Sequence, residues 1–290
     1  MPKVLIAGCG FVGETAAGLF MRRGWDVVGL TSSERTDVPN ALKEASGVEG
    51  AGAFTWAHGD LGDSASVADV VSAAGMFDVV VHCASSKGGG VEGYRRVYRD
   101  GIRHLVESCL GARVVLTGST SVYGQADGAE VDEGSVTEPD RQTGRVLLEA
   151  EGIALGAGGT VARLAGLYGP GRSVMMRKFL EGTAVLENGG GRWINQIHRN
   201  DAASAIVHLT TTSVEAGVYN AVDDAPATQR EVYGWLAEYY DRPLPPAGPA
   251  NANRKRGNSN KRVLNGKLRA TGWVAEFASY REGLSDISQG

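Results

Sequence analysis

The run Gly8-Cys9-Gly10-Phe11-Val12-Gly13 constrains this chain more than any other feature, because it follows directly on the apolar stretch Lys3 to Ala7 and opens a segment of helical length. In a strand, turn and helix context the three glycines divide the work. Gly8 makes the tight turn, Gly10 lets the backbone approach a phosphate, and Gly13 lets the helix pack closely on the strand. The helix that begins there offers unpaired N–H groups and a partial positive charge, with Phe11 and Val12 in the same turn. The run therefore predicts a βαβ unit that binds the pyrophosphate of a dinucleotide.

The rest of the first half has the matching pattern. Short β-branched runs alternate with amphipathic stretches of helical length, which makes βαβ units and a parallel sheet. Strands are expected at Lys3 to Ala7, Asp26 to Leu30, Ala53 to Ala57, Asp78 to His82, Arg113 to Thr117 and Thr160 to Arg163. Val79-Val80-Val81 and Val114-Val115-Leu116 are apolar throughout, as strands covered on both faces must be. The expectation is an α/β Rossmann fold with a doubly wound parallel sheet over residues 1–165. Residues 166–290 are expected to form a smaller substrate lobe with segments returning to the sheet. Helices are expected there at Ser173 to Leu180, Asp201 to Thr211 and Gln229 to Tyr240, with the glycine-rich segment Asn188 to Arg192 as loop.

Composition narrows the function classes. A chain of 290 residues buries a sizeable core without disulfide staples, and its three cysteines, Cys9, Cys83 and Cys109, lie in apolar segments that suit reduced thiols. A cytoplasmic protein is expected. No run approaches the roughly 18 apolar residues that span a bilayer, and Val4 to Ala7 is too short for a signal-peptide core. The net charge of −4 gives no electrostatic reason to seek nucleic acid or an anionic membrane. A small-molecule substrate is the expected partner, and no metal site is expected.

The second strand bears on which dinucleotide is bound. An Asp or Glu at its end would hydrogen-bond a ribose 2′-hydroxyl, but Val28-Gly29-Leu30-Thr31-Ser32-Ser33 offers no carboxylate. The hydroxyls of Thr31, Ser32 and Ser33, with Arg35 close behind, suit a 2′-phosphate, and Glu34 is the competing signal. NADP(H) is favoured, with NAD(H) possible. After the third strand, Asp60 is expected to accept from the adenine amine, with Leu61 beside it, or else to cap the helix starting near Ser64. Cys83, Ala84 and Ser85 follow the fourth strand where the chain should pass the cofactor, and Lys87 in the next loop either touches a phosphate or ribose or lies in solvent.

The motif order resembles the extended short-chain dehydrogenase/reductase superfamily in its NAD-dependent epimerase/dehydratase branch. The resemblance rests on Gly8 to Gly13, Gly59-Asp60-Leu61, His82-Cys83-Ala84, Ser119-Thr120-Ser121-Val122-Tyr123-Gly124, Tyr168-Gly169-Pro170-Gly171 and Ile197-His198-Arg199-Asn200-Asp201. The C-terminal stretch, with Asn260-Lys261-Arg262, Gly272-Trp273 and Tyr280 to Leu284, is similar to a bacterial atypical subgroup of YeeZ-like proteins. The resemblance implies that Ser119 hydrogen-bonds the reacting oxygen. It also implies a Tyr-x-x-x-Lys dyad, but Thr143 and Leu147 stand at those two positions. A threonine hydroxyl cannot exchange a proton near neutral pH as a lysine-assisted phenol does. Tyr123, Tyr168 and His198 are the candidates to carry the proton instead.

Two functions are open on the sequence. One is an NAD(P)-dependent oxidoreductase, epimerase or dehydratase acting on a sugar-like or other polar carbonyl substrate. The other is a dinucleotide-binding redox sensor or regulatory protein without turnover, for which the missing dyad speaks. The basic stretch Arg254, Lys255, Arg256, Lys261, Arg262 reads either as a solvated loop or as a clamp on an anionic substrate. A monomer or a homodimer is compatible with all of this.

Overall fold

The structure is a computed structural model that describes residues 1–86, 88–250 and 259–289. Lys87 and the basic residues Arg254, Lys255 and Arg256 lie outside the described residues. The strands begin with β1 (Lys3–Ala7), β2 (Asp26–Thr31), β3 (Phe54–His58), β4 (Val79–His82) and β5 (Arg113–Ser119). They continue with β6 (Glu130–Val131), β7 (Thr160–Leu164), β8 (Gly166–Tyr168), β9 (Leu186–Glu187) and β10 (Trp193–Ile194). The last are β11 (Gln196–His198), β12 (Val218–Ala221), β13 (Ala227–Thr228), β14 (Ala247–Gly248) and β15 (Arg262–Val263). The helices are α1 (Gly13–Met21), α2 (Asn40–Ser46), α3 (Ser64–Ala74), α4 (Gly90–Tyr94), α5 (Gly101–Ser108) and α6 (Gln142–Gly156). They are followed by α7 (Val174–Leu180), α8 (Arg199–Thr211), α9 (Gln229–Tyr239), α10 (Gly266–Ala270) and α11 (Tyr280–Gln289).

Two compact units emerge, each built from separated segments. The first comprises Met1–Ser119, Gln142–Arg163 and Ala203–Tyr219, and the second Thr120–Arg141, Leu164–Ala202 and Asn220–Gly290. The central sheet is seven-stranded in the order β12-β7-β5-β4-β1-β2-β3. Its pairings from β3 through β5 are parallel, with Val4 opposite both Val27 and Val79. This is the doubly wound α/β fold with a Rossmann strand order, and the order reverses between β1 and β4. The carboxyl ends of β1, β2, β3, β4 and β5 therefore share one edge of the sheet.

Burial explains the strands. β4 is buried along its whole length and β1 is buried from Val4 to Ala7, as the continuous apolar runs require. One face of the sheet packs Leu5, Val28, Leu30 and Val80 with Val67 of α3 and Leu105 of α5. Elsewhere in the first unit, Val114, Leu116 and Val161 pack with Ile102 of α5 and with Ala150 and Ala154 of α6. The second unit has its own core, in which Tyr168, Phe179, Leu186, Val232, Tyr233, Leu236, Tyr280 and Leu284 come together from β8, β9, α7, α9 and α11.

Several local expectations shift. β3 runs one residue later than expected, while β2 extends to Thr31 and β5 to Ser119. The alternative that Asp60 caps α3 is corrected. Asp63 is the cap, its carboxylate accepting from the Ala65 N–H at 3.0 Å. Within Asn188 to Arg192, expected as loop, Asn188–Gly190 forms a single 3₁₀ turn. Between α4 and α5, Arg95–Asp100 winds as a π-helical segment. There the Val97 carbonyl lies 2.8 Å from the ring Nε2 of His82 at the end of β4.

Candidate functional site

At the β1–α1 turn the three glycines meet three different surroundings. Gly8 has φ +95°, and a Cβ there would fall 2.3 Å from the Ala84 backbone. Gly13 is closed in as well, with a Cβ position 2.8 Å from the Gly8 carbonyl and 3.1 Å from Ile6 Cγ2. Gly10 faces open space, with nothing within 4 Å of a Cβ. The N-cap of α1 is Val12, whose side chain has no acceptor, so the first amides of the helix lack a side-chain cap. Steric closure at two glycines, openness at the middle one and an uncapped helix start fit a dinucleotide pyrophosphate. Phe11 and Val12 lie in this turn.

On the β2 side, Ser32 and Ser33 are exposed, and Thr31 donates its hydroxyl to the Ser33 carbonyl at 2.8 Å. Arg35 lies over the Trp56 ring at 4.5 Å. It pairs with Glu14 from the first turn of α1 and with Asp37 at 2.6 Å, and the hydrogen bond from Arg35 pulls Asp37 below the usual carboxylate range. The guanidinium thus stands beside the start of α1 with both of its carboxylate partners in place.

Asp60 follows β3. Its carboxylate pairs with Arg96 and accepts from the Gly62 N–H at 2.8 Å, which holds it below its ordinary pKa. Arg96 reaches it from the π-helical segment across Gly62, where a Cβ would collide with the Arg96 side chain at 2.2 Å. Leu61 is buried in the sheet core. After β4 the Cys83 N–H donates to the Ala7 carbonyl at 2.7 Å, and burial pushes its thiol up to about 12. Ala84 packs on Gly8, and Ser85 is exposed. Cys9 and Cys109 are buried, and Cys83 is partly buried.

Ser119 is the last residue of β5, partly exposed at the edge of the sheet where β1 to β4 also end. Gly118 before it is held close to an ion pair, since a Cβ there would lie 3.0 Å from Glu151 Oε1. Glu151 and Arg163 are both buried and bind each other bidentately, at 3.0 Å from Nε and 2.7 Å from Nη2. On α6, Leu147 is buried and Thr143 is partly exposed, so neither dyad position carries a phenol or an ammonium.

The other proton candidates belong to the second unit, where Tyr168 and His198 lie side by side on β8 and β11 while Tyr123 bonds to Asn220. Tyr123 is 0% exposed, and its phenol donates to Asn220 Oδ1 at 2.8 Å. Tyr168 is 2% exposed and packed against Gly283 of α11, where a Cβ would lie 2.2 Å from its hydroxyl. Desolvation and the carboxylates of Asp223 and Asp201 push that phenol well above its ordinary pKa. His198 is 0% exposed, with its ring centroid 5.3 Å from Tyr168 and 4.1 Å from Phe277. Burial lowers it to about 4, and Asp286 stands 3.7 Å away. Asp201 accepts from the N–H groups of Glu276 and Phe277, and its burial raises it to about 6.

Sequence reasoning missed four participants: Arg96, Glu14 and the buried pair of Glu151 and Arg163. The first two sit on helical segments and meet partners 36 and 21 residues away, which leaves no local pattern. Glu151 and Arg163 sit on different elements, 12 residues apart.

An α/β sheet of this order with an open glycine turn at its switch point defines a dinucleotide-binding protein of the Rossmann class. The model of the NAD dependent epimerase/dehydratase family matches residues 4–221, and the chain belongs to that family. It is 30% identical over 243 residues to Protein YeeZ of Escherichia coli (strain K12), covering 82% of this chain and 83% of that one. Among solved structures, one from Methylobacillus flagellatus assigned as an NAD-dependent epimerase/dehydratase is 27% identical, with a TM-score of 0.76 over 99% of this chain and 98% of that one. DesIV of Streptomyces venezuelae, a dTDP-glucose 4,6-dehydratase solved with NAD and TYD bound, shares the fold at 21% identity. Its TM-score is 0.78 over 100% of this chain and 96% of DesIV. Among the described residues no helix is long and apolar enough to cross a membrane.

Proposed function

We propose that this chain is an NAD(P)-dependent enzyme of the oxidoreductase, epimerase or dehydratase type that acts on a sugar-like or other polar carbonyl substrate. The observation that carries the reading is the open face of Gly10 between two closed glycines, above an uncapped helix start. Gly8, Gly10, Phe11, Val12 and Gly13 would hold the pyrophosphate, and Asp60 with Leu61 the adenine. Cys83, Ala84 and Ser85 would line the path between them. A bound nicotinamide supplies hydride transfer at C4. Ser119 would donate its hydroxyl to the reacting oxygen and orient the substrate carbonyl. With Tyr123, Tyr168 and His198 enclosed in the second unit, Ser119 is the residue on which catalysis rests in this reading. Residues 1–165 would serve the dinucleotide and residues 166–290 the substrate, in a cytoplasmic monomer or homodimer. Sugar-like substrates are supported by the shared fold and family of enzymes such as DesIV.

NADP(H) is the favoured cofactor. No carboxylate stands among Thr31, Ser32 and Ser33, whose hydroxyls suit a 2′-phosphate, and Arg35 would pair with that phosphate by exchanging Asp37, the more exposed of its two carboxylate partners. NADPH should raise the melting temperature more than NADH, since a ligand that binds only the folded state stabilises it. Asp37→Asn should widen that difference by freeing Arg35. Equal shifts with the two cofactors would remove the preference. Consumption of NADPH with a panel of aldehydes, ketones and nucleotide-sugar ketoses, lost in Ser119→Ala, supports the enzyme.

A second reading, a dinucleotide-binding sensor, is favoured by one observation: Leu147 is buried where the dyad lysine would stand. Tight cofactor binding with no turnover across that panel decides for it.

A further inference from the structure

Two cations of the second unit, Lys261, which is buried, and Arg192, which is partly buried, have no role in the reading above. Lys261 is 5% exposed, and its Nζ donates to the Tyr123 carbonyl at 2.6 Å and to Ser259 Oγ at 2.8 Å. Both acceptors are neutral. Arg192 follows the glycine turn 189–191, and its Nε is buried with no hydrogen-bond partner among the described residues. Desolvation lowers both groups, Lys261 to about 8. Arg192 is also near enough to repel the ammonium, and Asp140 is the carboxylate that opposes this.

The two segments that carry these cations are tied together. The Trp193 N–H donates to Asn260 Oδ1 at 2.9 Å, the Asn195 amide donates to the Lys261 carbonyl at 2.9 Å, and the Val263 N–H donates to Asn195 Oδ1 at 2.8 Å. Arg262, next in the same run, is a contrast. It pairs with Glu130 at 3.2 Å and lies over the Trp193 ring at 4.9 Å. The arrangement thus neutralises the outer cation, leaves Lys261 on neutral acceptors and leaves Arg192 Nε without a partner among the described residues. A buried charge without a counter-charge is costly, and an entering anion removes that cost twice here.

We propose that Arg192 and Lys261 form an oxyanion-binding site that takes a carboxylate or phosphate group of a small-molecule ligand. Assigning that ligand as the substrate rests on the function proposed above, whereas anion binding itself requires neither dinucleotide nor turnover.

The test uses the full chain without dinucleotide, titrated with sodium phosphate or sodium acetate against sodium chloride at equal ionic strength. The wild type is expected to gain melting temperature with phosphate, acetate or both, and the anion that acts identifies the charged group of the ligand. Phosphate can also bind at the α1 turn, so variants locate the effect. Arg192→Met and Lys261→Met should each weaken the response about tenfold or more, the scale of a lost charge-assisted hydrogen bond. Calorimetry in two buffers of different ionisation enthalpy adds a readout on the wild type itself. At pH 8.5 the anion should draw a proton onto Lys261, whose charged neighbours are Arg192 and Asp140. No gain over chloride, a full response in a folded double variant, or binding at pH 8.5 without proton uptake would each overturn the site. Loss of the response in the variants upholds it even if the protein proves to be a sensor.

Discussion

Glu151 and Arg163 form a buried bidentate pair beneath Gly118, next to Ser119. Removing one partner strands the other's charge in the core, so Glu151→Ala should cost about 3–5 kcal/mol in chemical denaturation. A double replacement by methionines should recover most of that loss. His198 and Asp201 carry a pH signature. His198 falls from 6.5 to about 4, so its contribution to stability is complete above pH 6.5 and is lost as the pH drops towards 4. Asp201 rises from 3.8 to about 6, so its contribution is complete below 3.8 and is lost as the pH climbs through 6. Buried Asp223, also raised, acts in the same direction as Asp201. The opposing effects are each about 3 kcal/mol across their windows. In melts between pH 4 and 6, His198→Gln should lose stability as pH rises, and Asp201→Asn should gain it relative to the wild type.

At the scale of elements, α1 and the turn before it separate binding from folding. Gly10→Ala puts a methyl into open space, so the melting temperature should hold while dinucleotide affinity falls about tenfold or more, as close backbone approach is lost. Gly13→Ala drives a methyl towards the Gly8 carbonyl and should lower the melting temperature itself. Measuring melting and NADPH binding on both variants separates the two roles, and equal melting losses would contradict the partition. Six of the seven strands of the central sheet were legible in sequence to within two residues, helped by the rule that parallel strands buried on both faces are apolar throughout, whereas β12 and the short strands outside that sheet were not. The cap of α3 was less legible. Asp60 and Asp63 both precede the helix, and only the path of the turn assigns Asp63 to the Ala65 N–H and turns Asp60 towards Gly62 and Arg96.

For the whole molecule, the chain crosses between its two units more than once. Residues 120–141 leave the first unit just after Ser119, and 203–219 return to it. No local signal marks those crossings, since they depend on which distant segments close each core. Family and fold could be read from the glycine turn and the order of motifs, features set by backbone sterics within a few residues. The fate of the charged and titratable side chains could not. Sequence shows Lys261 and Arg262 as neighbours in one basic run. Burial of one beside Arg192 and pairing of the other with Glu130 come from long-range packing. Local sterics act over a turn and are written in the order of residues, whereas desolvation and charge pairing depend on what the folded chain brings alongside.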